Sequence, residues 1–224
     1  MKKVMACVNE LFLVLSLAGA AYYEAVGGLR IKALSAGVFA LLGLINGVYA
    51  LKMRRFNPLY MCLALLVCMT ADIVLGYSFV AGAGVFALGH VLYFTAFCHM
   101  EKLRLADFLP GMLLFIPTAL WLALSPRFRF GAQEIEAVCV GYALFISMMM
   151  GKAIANLIRN RNVAYLLLAL GCGLFVVSDV MLVLHAFGRG PRWTDAACLF
   201  TYFPGQCIIA HAMMHLAEGK HKER

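Results

Sequence analysis

The sequence has few charged residues. Asp, Glu, Lys and Arg together make up 13% of the 224 residues, whereas hydrophobic residues make up 64%. The mean hydropathy is +0.88. A soluble domain is about one-quarter charged and about half apolar. The polar side chains are too few to cover a water-exposed globule, so the composition excludes that class and predicts an integral membrane protein.

Acidic residues are scarcer than basic ones. There are 11 Asp and Glu against 19 Lys and Arg, which gives a net charge of +8. The basic residues lie in short clusters between apolar runs and form no stripe interleaved with aromatic residues. We therefore expect no nucleic-acid partner and interpret the basic clusters as markers of membrane topology.

Several motifs of soluble chemistry are missing. The eight cysteines all lie inside apolar runs and none forms a Cys-x-x-Cys pair, so we expect no disulfide framework and no cysteine metal site. The sequence contains no Gly-x-Ser-x-Gly elbow and no nucleotide-binding loop. No cofactor is predicted.

The apolar runs predict an all-α membrane protein that forms a single polytopic transmembrane domain over residues 1–224. About 20 apolar residues span the hydrocarbon as a helix. That length gives eight transmembrane segments, predicted at 4–26, 31–51, 57–77, 82–100, 107–124, 134–157, 163–187 and 195–216. The first segment could also be read as a cleaved signal peptide. Asn9 and Glu10 interrupt it early, which favours a helix.

The distribution of Lys and Arg predicts the orientation. Thirteen of them fall at the termini and in the loops after segments two, four and six, against six on the opposite side. The positive-inside rule then places both termini in the cytoplasm, and we expect a multi-pass protein of the bacterial inner membrane.

A weak internal similarity relates the two halves of the chain. Ala71-Asp72 in segment three corresponds to Ser178-Asp179 in segment seven. Gly89-His90 in segment four corresponds to Gly205-Gln206 in segment eight. Four helices separate each pair, so the sequence allows two four-helix halves in a parallel repeat.

Two aspartates are the strongest candidates for a functional site. Asp72 and Asp179 lie inside apolar segments, where ionisable residues are costly and mark function by default. Both lie in the outer parts of segments that run outward, so the helical rise puts them at similar depths. Segments two, four and eight bring further polar side chains to the same half, namely Lys32, His90, Tyr93, Tyr202 and Gln206. Two acids in a low-dielectric pocket need not both ionise, and a neutral acid beside a carboxylate suits acid–base hydrolysis.

Other interpretations remain open at this point. The same residues could be a purely structural clasp between helices, or the proton relay of a transporter or lipid-binding protein. His211 and His215, four residues apart, could bind zinc. No third ligand is obvious near them, so no metal site is predicted there. A zinc-dependent lipid hydrolase is the other enzymatic alternative.

The polar residues sit in motifs that resemble the YhhN family, the lysoplasmalogenases. Segment four, Gly82–Phe97, is similar to the family's G…F…H..Y…F helix, and Tyr202–Gln206 is similar to its Tyr-Tyr-x-x-Gln. Phe175–Asp179 is similar to the family's F..SD pattern and includes Ser178. Tyr142 and Met149 match in segment six, and Lys32–Leu34 stands where the family has Lys-Pro-Leu. The departures from the family pattern are Ala33, Ala71, His185 and Phe203.

The resemblance implies an ether hydrolase that cleaves the vinyl ether bond of a lysoplasmalogen. The products would be a fatty aldehyde and glycerophosphoethanolamine or glycerophosphocholine. Asp72 and Asp179 would be the catalytic acid and base, as paired carboxylates are in glycoside hydrolysis. The residues implied to bind or orient the lysophospholipid are Lys32, His90, Tyr93, Tyr142, Ser178, Tyr202 and Gln206. Lys32 would meet the lipid phosphate.

Overall fold

The computed structural model describes residues 2–54 and 56–219. They form eight α-helices, with a 3₁₀ turn at Leu105–Asp107 and no strand in the described part. The helices are α1 (Lys2–Val26), α2 (Leu29–Met53), α3 (Leu59–Leu75), α4 (Phe79–Met100), α5 (Phe108–Leu124), α6 (Gln133–Asn160), α7 (Val163–Ala186) and α8 (Trp193–Glu218). The prediction of eight helices is confirmed, and most ends lie within about two or three residues of the predicted ones. Arg55 and the basic tail 220–224, which entered the charge count, lie outside the described residues.

Seven of these helices are long and apolar enough to cross a membrane. For α5 the span includes the preceding 3₁₀ turn and covers Leu105–Leu124, 20 residues. The exception is α3, which has 17 residues and falls short of the usual span of about 20. Large apolar side chains such as Leu34 and Leu113 are exposed on the outer faces of the helices. These features support a multi-pass membrane protein.

Local signals set several helix boundaries. Gly27 and Gly28 have φ angles of +70° and +95°, a region that glycine enters without steric cost, and they separate α1 from α2. Ser78 caps α4 by accepting a hydrogen bond from the Ala81 amide, and Asn162 does the same for α7. Such caps satisfy amides that have no partner within the helix.

Six helices form a closed ring in the order α2, α3, α4, α6, α7, α8, with α8 again against α2. Helix α1 packs outside the ring on α2 and α8, and α5 packs outside on α6. Burial follows this arrangement, because α8 has the largest buried fraction of the candidate spans and α5 has the smallest. The core therefore lies between the ring helices, and α8 is the ring helix most buried in it.

Glycines allow the closest helix crossings. A side chain at Gly89 of α4 would face the Ala64 carbonyl of α3, and one at Gly205 of α8 would lie 3.1 Å from the Gly171 carbonyl of α7. The neighbouring pairs α3–α4 and α7–α8 thus cross in the same way. Small residues at such points let backbones approach closely.

The two ends of the described chain meet on one side of the bundle. The Lys2 ammonium lies 2.8 Å from the Glu218 carboxylate, and the Tyr49 hydroxyl donates to Glu218 at 3.0 Å. An even number of helices is required to bring α1 and α8 together in this way.

At the same side of the bundle, a buried charge cluster joins α6 to the segment before α5. Lys152 was counted above with the loop cations, but its ammonium is fully buried. It lies 2.7 Å from the Asp107 carboxylate and donates to the Glu101 carbonyl at 2.9 Å. Arg159 pairs with the same aspartate. Hydropathy places Lys152 near a helix end but does not identify its partner, so the sequence did not predict this buried charge cluster.

Candidate functional site

Asp72 lies in the half of the bundle opposite the Lys152–Asp107 cluster, and its charge is compensated by a neighbouring cation. It lies one turn before the end of α3, and its side chain is 3% exposed. The Lys32 ammonium from the first turn of α2 is 3.3 Å from Oδ1. The Tyr202 hydroxyl from α8 donates to Oδ2 at 2.7 Å. The Lys32 ammonium is therefore paired with a buried carboxyl group.

Asp179 of α7 has a different set of partners. The Tyr142 hydroxyl from α6 donates to its Oδ2 at 2.6 Å, and His90 Nε2 from α4 lies 2.7 Å from the same hydroxyl. The Ser178 hydroxyl donates to the Phe175 carbonyl at 3.0 Å and lies 3.4 Å from Asp179 Oδ1. Neutral donors thus surround this acid at hydrogen-bonding distance.

These contacts form a continuous hydrogen-bonded chain of three side chains. When Tyr142 donates to Asp179, its oxygen is free to accept from the Nε2–H tautomer of His90. If Asp179 instead carries a proton and donates it, both bonds reverse and His90 accepts through Nε2. The other ring nitrogen, Nδ1, is buried and has no hydrogen-bond partner in the described part of the chain. The chain can therefore hold a proton on the acid or release it without moving a heavy atom.

Aromatic packing connects the two clusters. The Phe175 ring centroid lies 4.8 Å from that of His90 and 5.2 Å from that of Tyr202. Next to them, the buried Tyr93 hydroxyl donates to Gln206 Oε1 at 2.6 Å. The side chains predicted to lie at similar depths are thus close together. They form two carboxylate clusters that are joined by packed aromatic rings.

A small cavity opens beside Asp179. Its volume is about 30 Å³, and a water molecule needs about 10–15 Å³ on this measure. The wall is mostly apolar and includes Phe79, Ala83 and Cys139, while Tyr142 and Asp179 are the lining residues that carry oxygen atoms. The cavity lies between α3, α4, α6 and α7, so it can receive an apolar group next to a carboxyl group.

The two acids therefore differ in access. The Asp179 side chain is 17% exposed and lines the cavity, whereas Asp72 is 3% exposed and is not among the lining residues. Of the two acids, Asp179 is therefore the one that a molecule in this cavity would meet.

The other polar features lie away from this site. Asn9 and Asn46 hydrogen-bond to each other, and Asn46 also donates to the Ala210 carbonyl at 3.0 Å, which ties α1, α2 and α8 together. The rings of His211 and His215 are 5.0 Å apart. Among the residues described, no group of three His, Cys, Asp or Glu side chains is arranged to hold a metal ion.

Comparison with known proteins gives one match. A family model described as the YhhN family matches residues 28–213, which is most of the chain. No curated protein matches, and no solved structure matches. The matched range includes both aspartates and all of the residues that surround them.

Proposed function

This chain belongs to the YhhN family, and we propose that it is a membrane-embedded ether hydrolase of the lysoplasmalogenase type. Its substrate would be a lysoplasmalogen, cleaved to a fatty aldehyde and a glycerophospho head group. The observation that carries the proposal is the Asp179 carboxyl group in the wall of an apolar cavity, hydrogen-bonded to Tyr142 and through it to His90. A vinyl ether needs such a site, because an acid must reach a carbon atom in an apolar chain.

The reaction balances with one water molecule and no other reactant. Protonated Asp179 gives its proton to the β-carbon of the vinyl ether, which leaves an oxocarbenium ion on the ether side. The Asp179 carboxylate faces this cation while water attacks the α-carbon and returns a proton to the carboxylate. The hemiacetal then splits into an aldehyde and the glycerol hydroxyl. This is general acid–base catalysis by a single positioned group.

Asp72 supplies the second charge of the site. Its pairing with Lys32 at 3.3 Å and with the Tyr202 hydroxyl favours an ionised carboxylate held in a fixed position. Lys32 compensates the net charge, so the buried pair acts on a developing cation as a fixed dipole. We assign proton transfer to Asp179 and electrostatic stabilisation to Asp72, while Tyr93 and Gln206 fix the helices around them.

We also propose that the bundle is two four-helix halves in parallel repeat. Asp72 and Asp179 are 107 residues apart (179 − 72), and so are Ala64 and Gly171 (171 − 64), whose carbonyls lie at the two equivalent helix crossings. The ring order α2, α3, α4 followed by α6, α7, α8 is what such a repeat produces. We propose that both termini lie in the cytoplasm of a bacterial cell, which would put the site in the outer half of the inner membrane. The adjacency of Lys2 and Glu218 supports termini on one side of the bundle, and the distribution of basic residues favours the cytoplasmic side.

The test is aldehyde release from lysoplasmenylethanolamine by the purified protein. We expect Asp179→Asn to lower the rate by about a hundredfold or more, the usual share of a general acid. Asp72→Asn should also lower it, and the size of that loss measures the electrostatic part. Asp195→Asn, which changes an aspartate in the first turn of α8 at the same end of the bundle, is the matched control. Full activity of Asp179→Asn would refute the mechanism, and an inactive wild type on every vinyl ether lipid would refute the substrate.

A further inference from the structure

Two loops at the Asp179 end of the bundle are joined to each other. They are the α5–α6 loop (125–132) and the α7–α8 loop (187–192). The Arg129 amide donates to the Phe187 carbonyl at 2.9 Å, and Arg127 Nε donates to the Gly188 carbonyl at 3.2 Å. The rings of Phe130 and Phe187 are 5.3 Å apart. These contacts hold the loops together as one surface.

That surface lies directly above the cavity. The Phe187 ring is 4.9 Å from the ring of Phe79, and Phe79 is part of the cavity wall beside Asp179. A ligand that enters from this end with its reactive group at Asp179 would therefore lie next to the joined loops.

The two loops carry four exposed arginines, here called the arginine cluster: Arg127, Arg129, Arg189 and Arg192. Within residues 2–54 and 56–219, none of them forms a salt bridge with a carboxylate. The nearby acids are Glu134 and Glu136 in the first turn of α6 and Asp195 in the first turn of α8. All four cations are arginines, whose planar fork matches a phosphate group better than a lysine ammonium does.

The backbone at Arg189 is unusual for this residue type. It has a φ of +50°, in the left-handed region that glycine favours, and it stands between Gly188 and Gly190. An arginine in a conformation that suits glycine carries a local cost. Replacing Arg189 by glycine should therefore remove the guanidinium without straining the loop.

The depth of Asp179 matches the length of a glycerophospholipid. Seven residues separate Asp179 from the end of α7, which is about 10 Å along the axis. Seven bonds separate the β-carbon of the vinyl ether from the phosphorus of a lysoplasmalogen, which is about 8 Å when extended as a peptide backbone is.

We propose that the arginine cluster binds the phosphate of the lysophospholipid while its vinyl ether bond lies at Asp179. The proposal rests on the function proposed above. The family resemblance implied that Lys32 contacts the phosphate, but Asp72 already compensates the charge of Lys32. The contact is therefore assigned to the joined loops instead. The alkenyl chain then runs from the cavity into the apolar surroundings of the helices.

The experiment compares two double variants that remove equal charge. Arg129→Gln with Arg189→Gly removes two guanidiniums from the cluster and leaves glycine where φ is +50°. The control, Arg54→Gly with Arg161→Gly, removes the other two left-handed arginines, which end α2 and α6 at the opposite end of the bundle. We expect the cluster variant to raise KM for lysoplasmenylethanolamine about tenfold with kcat within twofold. The control should match the wild type, and a 1-alkenylglycerol without phosphate should react equally with all three proteins.

Binding separates this proposal from the proposed activity. A saturated 1-O-alkyl lysophospholipid cannot be hydrolysed at a vinyl ether, so its affinity for the three proteins in detergent reports the phosphate contact alone. Affinity reduced only in the cluster variant supports the proposal even if no hydrolysis is found. Competition by millimolar inorganic phosphate without any preference for the lipid would mean that the cluster is a free-phosphate site and would overturn the assignment. Equal affinity of the cluster variant and the wild type would overturn the proposal while leaving the catalytic one standing.

Discussion

Tyr142→Phe removes one oxygen atom, and that atom connects the proposed catalytic acid, Asp179, to His90. The hydroxyl donates to Asp179 at 2.6 Å and lies 2.7 Å from His90 Nε2. Phenylalanine keeps the ring and its packing against His90, so the change is confined to the two hydrogen bonds. After it, Asp179 retains the contact with the Ser178 hydroxyl, and His90 Nε2 lies 4.0 Å from its Oδ2.

The expected size of the effect follows from those two bonds. A hydrogen bond to a charged group contributes about 1.5–3 kcal/mol. Each 1.36 kcal/mol in the barrier is a factor of ten in rate. The hydroxyl stabilises the carboxylate that forms when Asp179 gives up its proton. Its removal should therefore lower kcat by about tenfold to a hundredfold, with little change in KM, because the hydroxyl is needed most after the proton has left.

The assay is steady-state aldehyde release, with thermal unfolding in detergent as a check on folding. Tyr77→Phe, at a residue that is 80% exposed, is the control for loss of a phenol hydroxyl and should behave as the wild type. Tyr202→Phe removes the hydroxyl that contacts Asp72 and tests the other cluster. A Tyr142→Phe enzyme with unchanged kcat, beside an inactive Asp179→Asn enzyme, would refute the reasoning about the hydrogen-bonded chain.

Two further predictions concern stability. Lys32→Met leaves the Asp72 carboxyl group without its cation and should destabilise the fold by about 3 kcal/mol. The double variant, Lys32→Met with Asp72→Asn, should recover most of that stability. If thermal unfolding shows that the effects of the two single changes add, the direct pairing is contradicted. Gly151→Ala adds a methyl group that overlaps the Gly111 backbone of α5 and should cost about 3 kcal/mol or more. Gly141→Ala on the same helix meets nothing within 4 Å and should be neutral or slightly stabilising, so equal effects of the two glycine changes would contradict the α5–α6 packing.

Much of the fold could be predicted from hydropathy, because the pattern that predicts a spanning helix depends only on local composition. Helix α7 was expected at 163–187 and runs over Val163–Ala186. Helix α3, expected at 57–77 and observed at Leu59–Leu75, is shorter by two residues at each end, whereas α2 and α8 are longer by two at each end. Pro58 precedes the first residue of α3, and Gly76 to Ser78 form the turn into α4. Apolar residues in a turn count toward hydropathy without being helical.

The site was only partly predictable for the opposite reason. Depth along a helix follows from residue number, so Asp72, Asp179 and His90 could be placed at one level. The direction of a side chain around the helix depends on which neighbour it meets, and the sequence does not specify the ring order of the helices. That is why the Lys32–Asp72 pair and the cavity beside Asp179 were not foreseen. Tyr142 was named only through its match to the family pattern.

The proposed repeat explains why two similar aspartates would carry different roles. Each lies on the third helix of its half, and each contacts the second helix of its own half and the fourth helix of the other. In one half those contacts are Lys32 and Tyr202. In the other, Tyr142 donates to Asp179, and His90 lies beyond that hydroxyl. A cation beside one acid fixes it as a carboxylate, whereas neutral donors and an apolar cavity beside the other allow it to carry a proton. A symmetric pair would supply two equal acids, and it is the difference in partner, Lys32 for Asp72 and Tyr142 for Asp179, that would turn one of them into a proton donor.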